Sequence, residues 1–193
     1  MSRLELVGNK VILTEIAPEY FSDVVRWRNN EALNKFLNQS QALTVESEDD
    51  WYHQTYMQDD TQGFMIFVDK EKSIPFATIG WTDLDEENRC CISGRLILGN
   101  SEYRDHAGFL EGFFLFSDYL YQFVDVMYCH LAKDNHKARR LNKRLGFVPN
   151  KGEMKYPQEA VVNNISQEEF LRTKDMYQDV RKRLYENLKG ILF

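Results

Sequence analysis

Residues 108–122 hold only two charged side chains, Glu111 and Asp118, among Phe109, Leu110, Phe113, Phe114, Phe116, Leu120 and Tyr121. A helix that is apolar on almost every face is stable only when it is buried on almost every face. The runs on either side of it, Cys91 to Leu98 and Phe123 to Leu131, are apolar and of strand length. The centre of the chain therefore reads as strand, buried helix, strand.

The rest of the pattern extends that unit. Lys10 to Ile16 reads as a first strand, and Pro18 opens a helix to about Trp27 with Phe21, Val24 and Val25 on one face. Short helices are expected over Glu31 to Leu37 and over Thr44 to Gln58, the latter acidic at its start, where the helix dipole favours negative charge. Phe64 to Val68 reads as a strand buried on both faces, and Phe76 to Thr82 as a strand running into a polar hairpin turn at Asp83 to Asn88, with Cys91 to Leu98 as its partner. His136 to Leu145 carries an apolar stripe (Ala138, Leu141, Leu145) beside a basic one (Lys137, Arg140, Arg144); Gly146 caps it and Phe147 opens another strand.

Ser166 to Glu169 has the form of a capping box, and Phe170, Tyr177, Val180, Leu184, Leu188 and Ile191 follow at helical spacing. The expected architecture is α+β: residues 1–165 around one mixed, mostly antiparallel twisted sheet, and a C-terminal amphipathic helix over 166–193. That helix packs on the domain or on a second copy, for a monomer or a homodimer.

A length of 193 residues suits one such domain, and 43% hydrophobic and 13% aromatic residues exclude a disordered chain. Three cysteines, Cys90, Cys91 and Cys129, form neither a disulfide framework nor CxxC metal spacing. No metal site and a reducing, cytoplasmic setting are expected. No apolar stretch reaches 18 residues and no export signal is recognisable, so no membrane partner is expected. The net charge of -6 argues against nucleic acid. Within that acidic chain, residues 133–144 carry Lys133, Lys137, Arg139, Arg140, Lys143 and Arg144 against Asp134 alone. Such a patch suits a small polyanion; a solvated helix face is the other reading.

The segment from Ile97 to Glu111 runs from strand through a turn into the buried helix, whose N-terminal amides and dipole make an anion site. Arg104 and His106 add donors there. Asn100 to Glu111 together with Asp134 to Phe147 (DNHKARRLNKRLGF) resembles the acetyl-CoA segments of the GNAT superfamily, which place [QR]-x-x-G-x-[GA] at a strand-to-helix turn and N-x-x-A ahead of L-G-F. Trp27-Arg28-Asn29 and Asp134 to Ala138 are most similar to the amino-sugar N-acetyltransferases of the pseudaminic-acid type, with the ribosomal-protein N-terminal acetyltransferases as their nearest relatives.

The resemblance implies acetyl-CoA as co-substrate and a small amine as acceptor, amino-sugar nucleotides among the candidates. It implies that the backbone of Ile97, Leu98 and Gly99 pairs with pantetheine, and that the amides of His106, Ala107, Gly108, Phe109 and Leu110 hold the pyrophosphate. Arg104 falls on the family's Gln or Arg, Asn135 on the pantetheine-binding Asn, and Ala138 on the small residue that admits the cofactor, with Arg139, Arg140 and Lys143 near the nucleotide. The family glycines fall on Ala107 and Phe109, and a Phe crowds a close backbone approach. The family's usual Tyr acid is replaced by Asn142, whose amide can donate a hydrogen bond to developing thiolate charge but cannot give up a proton.

Direct transfer to an amine needs alignment and a route for the amine's proton, and no covalent nucleophile. Asp83 is a candidate for that route or merely a hairpin residue. His130 is read as a hydrogen-bonded core residue, with a base as the lesser alternative. Trp27, Arg28 and Trp81 are candidates to line the acceptor pocket or else to serve as core and surface. A homologue that binds CoA without catalysis shares every one of these fold features.

Overall fold

The computed structural model describes residues 3–37, 39, 41–162 and 165–192. The strands are β1 (Glu5–Val7), β2 (Val11–Glu15), β3 (Gly63–Asp69), β4 (Pro75–Asp85), β5 (Cys90–Leu98), β6 (Val126–Ala132), β7 (Val148–Pro149), β8 (Val161–Val162) and β9 (Ile165–Thr173). The α-helices are α1 (Phe21–Arg28), α2 (Glu31–Asn34), α3 (Val45–Gln54), α4 (Ala107–Leu120), α5 (His136–Arg144) and α6 (Lys174–Leu192). The sheet runs β1-β2-β3-β4-β5-β6-β9-β7, with β8 on β9, and every pairing is antiparallel except β5 with β6. This is the expected α+β class, with an open, antiparallel-dominated sheet flanked by helices.

Two apolar layers hold it together. On one face α4 packs Phe113, Phe116 and Leu120 against Val11, Leu13, Met65, Phe67 and Ile79; on the other, Phe21 and Val24 of α1 meet Ile16, Phe64 and Ile66. The two charges of the apolar helix are both spoken for. Glu111 is 7% exposed and accepts the backbone amides of Asn9 at 2.6 Å and Lys10 at 2.7 Å, which ties α4 to the β1–β2 turn. Asp118 accepts the Tyr177 hydroxyl at 2.7 Å and the Arg181 guanidinium at 3.0 Å, which docks α6 on α4.

The C-terminal segment departs from expectation. Residues 165–173 are not the first turns of a helix but a strand paired with β6 along its length, and the helix begins at Lys174. The apparent capping box lies inside that strand. Three of its buried side chains are polar, Gln167, Glu169 and Arg172, which hides the two-residue period that marks a strand. Arg172 is only 3% exposed: its guanidinium donates to the Tyr121 hydroxyl, the Leu145 carbonyl and Ser117 Oγ, and lies over the Phe147 and Tyr177 rings. Tyr177 and Val180 are buried as the tail stripe predicts, whereas Leu188 and Ile191 lie outside the described side chains. Gly146 takes φ of 90° after α5, the left-handed cap that glycine adopts without Cβ strain.

Candidate active site

β5 and β6 are parallel partners over only three residue pairs, Cys90 with Val126, Cys91 with Met127 and Ile92 with Tyr128. Beyond these, β5 continues to Leu98 against β4 and β6 to Ala132 against β9, so the two strands diverge and the sheet opens. A cavity of about 700 Å³ fills the opening. Its walls bring together seven of the residues expected at a site: Ile97, Asn135, Ala138, Asn142, Asp83, Arg28 and Trp81.

α5 supplies one wall. Asn135 caps it by accepting the Ala138 amide at 3.1 Å. Asn142 donates through Nδ2 to the Ala138 carbonyl at 3.0 Å and accepts from the Cys129 thiol at 3.7 Å, which leaves one amide N–H of Asn142 uncommitted. Burial pushes the Cys129 thiol up to about 12, so it is no nucleophile at neutral pH. Of the basic residues on this helix, Arg139 is committed to Glu168 at 2.6 Å and lies over the Phe170 ring, whereas Arg140 and Lys143 are exposed and make no ion pair among the described residues.

The start of α4 lies off the cavity wall. Arg104 is exposed, and His106 caps the helix by accepting the Gly108 amide on Nδ1 at 3.2 Å, so that amide already has a partner. The Phe109 ring packs on the core, 5.8 Å from Phe67 and 5.2 Å from Phe113 between centroids. Leu98 and Gly99 lie beyond the cavity as well, and Gly99 donates its amide to the Phe76 carbonyl. Trp27, a candidate either for the acceptor pocket or for the core, is 3% exposed and packs on Gly99.

Two register shifts between β4 and β5 shape the opposite wall, with Asp83 and Arg95 at φ of 53° and 55°. Bulges of this kind bend a strand and re-aim its side chains. Asp83 is exposed at the rim. Arg95 turns its guanidinium to 5.4 Å from the Trp51 and Phe64 centroids; Nη2 donates to Gln62, and Nη1 is buried without a partner among the described residues. Arg28 and Trp51 share that wall. Behind it, burial raises the Glu48 carboxyl against the opposing pull of Arg28 and Arg95. Sequence reasoning passed over Arg95, although it is the one charge in the strand CCISGRLIL.

His130 lies on β6 two residues past the last β5 pair, on the cavity wall. Its Nε2 is 3.1 Å from Glu169 Oε2, and Nδ1 is buried with no hydrogen-bond partner among the described residues. Glu169, equally unforeseen, accepts Asn150 Nδ2 at 2.6 Å and the amides of Lys155 and Tyr156 at 3.0 Å each. Burial would raise its carboxyl, but these donors and His130 hold it below the usual range. Among the described residues, no group of three or more His, Cys, Asp or Glu is placed to hold a metal, and no helix is long and apolar enough to cross a membrane.

A family model described as the acetyltransferase (GNAT) domain matches residues 10–148. The chain belongs to the GNAT acetyltransferase family. GNAT proteins use acetyl-CoA as acyl donor. No curated protein matches this GNAT chain. Solved structures share its fold at low identity. A GCN5-related N-acetyltransferase from Brucella melitensis is 18% identical with a TM-score of 0.75, over 97% of this chain and 86% of that one. Apo FdhC, a nucleotide-linked sugar GNAT, is 14% identical with a TM-score of 0.72, over 95% and 97%. The spermidine N-acetyltransferase from Vibrio cholerae, solved with CoA and spermine, is 13% identical with a TM-score of 0.72, over 89% and 99%.

Proposed function

We propose that this GNAT protein moves an acetyl group from acetyl-CoA directly to a primary amine at the point where β5 and β6 part. The observation that carries the reading is the divergence beyond Ile92 and Tyr128. It leaves facing strand edges without a strand partner, and the amides of a pantetheine arm are suited to pair with such an edge near Ile97 and Leu98. Asn135, capping through Oδ1, keeps its Nδ2 for the same arm. The dipole at the start of α4 and the Ala107 amide suit a pyrophosphate, the His106, Gly108 and Phe109 amides being held by the Tyr103 carbonyl, His106 Nδ1 and the His106 carbonyl, and the exposed Arg140 and Lys143 suit the nucleotide phosphates.

Acetyl-CoA brings a reactive thioester with a good leaving group, so the protein's main task is alignment. Asn142 directs its uncommitted N–H to the developing negative charge, and Asp83 passes protons from the rim to solvent. On the acceptor wall, Arg28 and Arg95 beside Trp51 suit an amine that also carries a ring and an anionic group, such as an amino-sugar nucleotide, better than a polyamine. Three free, buried thiols fit a reducing cytoplasmic setting.

The test is calorimetric titration with acetyl-CoA, followed by assays of CoA release with amino-sugar nucleotides, polyamines and peptide N-termini. Binding and turnover are expected, with the sugar nucleotides ahead. Binding without turnover of any amine would make the chain a non-catalytic CoA-binding homologue; turnover of peptides alone would move the acceptor to protein N-termini.

A further inference from the structure

We infer that His130 is the base that takes the acceptor amine's proton, with Glu169 as the residue that holds its ring; this rests on the acetyl-transfer reading above. The two side chains are 8% and 1% exposed and meet at 3.1 Å. Glu169 accepts three further hydrogen bonds, from Asn150 and from two backbone amides. A carboxylate so supplied is ionised, so the proton shared with His130 sits on the imidazole Nε2. Nδ1 is thereby the basic nitrogen. It is buried and has no hydrogen-bond partner among the described residues.

An unpartnered buried lone pair is costly and calls for a reason. Here the reason is a donor that comes with the substrate: His130 forms part of the cavity wall just where β5 and β6 have parted. The other groups on the wall do not compete. The Cys129 thiol is held protonated, Asn142 cannot titrate, and Asp83 is exposed at the rim. The ionisable groups around the ring are Glu169 and Arg172 from β9, Tyr156 from the 150–157 loop, Tyr128 and Cys129 on the same strand and, across the cavity, Asp83, Arg95, Asp59 and Arg28. Tyr156, with its ring centroid 6.5 Å away, commits its hydroxyl to Cys90 and the Asp83 carbonyl.

An ammonium acceptor gives one proton to Nδ1 and becomes the neutral amine, whose lone pair forms the C–N bond at the thioester carbonyl carbon. The C–S bond breaks with its electron pair on sulfur. The second proton lost from nitrogen ends on that sulfur, so CoA leaves as the free thiol, and the imidazolium returns its proton to solvent.

The experiment compares the full chain with His130→Gln and His130→Ala. Acetyl-CoA affinity should be unchanged while turnover falls by roughly 10²- to 10⁴-fold. The acid limb of the kcat/KM profile should disappear, and added imidazole should restore part of the His130→Ala rate. A readout independent of turnover is the long-range ¹H–¹⁵N spectrum of histidine-labelled protein, which should show the Nε2–H tautomer for His130, lost in Glu169→Gln. Turnover in His130→Gln equal to wild type with the same pH profile, or an Nδ1–H tautomer, would overturn the assignment. Failure of the wild type to acetylate any amine would instead bring down the acetyl-transfer reading and the role with it, while the tautomer would still report whether the pair is built as described.

Discussion

The Trp27 indole packs so tightly on Gly99 that a Cβ built there would stand 2.0 Å from the ring. The contact fastens α1 to the end of β5, where the strand leaves the cavity for the turn into α4. Gly99→Ala should therefore push a buried ring and cost about 1–3 kcal/mol. Thermal unfolding should show it as a Tm several degrees lower, and acetyl-CoA titration should show weaker binding, because the end of β5 moves.

Arg140 and Lys143 are exposed on α5 and make no ion pair among the described residues, whereas Arg139 is held by Glu168. Arg140→Glu combined with Lys143→Glu should weaken CoA more than dephospho-CoA in calorimetric titrations, and the gap should narrow as salt is added. Equal losses for the two ligands would return this stripe to the role of a solvated helix face.

Asn142 should act as a hydrogen-bond donor and not as an acid. Asn142→Ala should slow acetyl transfer by no more than the loss of one such donor, roughly 10²- to 10³-fold, with acetyl-CoA binding nearly unchanged. A rate equal to that of wild type would strip Asn142 of the role.

Most of the strand and helix order was legible because apolar runs and turn residues mark those elements directly; FMIFV, for instance, lies within β3, every residue of which is buried. β9 was not. Its buried Glu169 and Arg172 are satisfied by partners distant in the chain, whereas Gln167 donates to the Ile165 carbonyl two residues away, and no local pattern reveals a carboxylate whose donors are Asn150, Lys155, Tyr156 and His130. For the same reason His130 read as an ordinary core histidine: its partner lies 39 positions away. Trp27 shows the converse, since an aromatic beside a candidate motif carries no sign of whether it faces a cavity or a glycine.

Glu169 also sets a pH dependence. Its folded-state pKa lies below that of an unfolded Glu, about 4.3, because Asn150, two backbone amides and His130 outweigh the burial that would raise it. The stability it contributes is full above the unfolded value and is lost as pH falls through the lower folded value. Tm measured from neutral to acidic pH should fall there in wild type, and Glu169→Gln should begin lower and decline less.

The strands at the two margins of the sheet, β1 and β7, have three and two residues. Short margins give a foreign strand little to extend. The long unpaired edges are those of β5 beyond Ile92 and β6 beyond Tyr128, and they face each other inside the molecule. The strand edges most able to recruit another chain are thus folded inward, where a neighbouring sheet cannot reach them. The three-pair ladder that opens the sheet is in this way also a guard against edge-to-edge association.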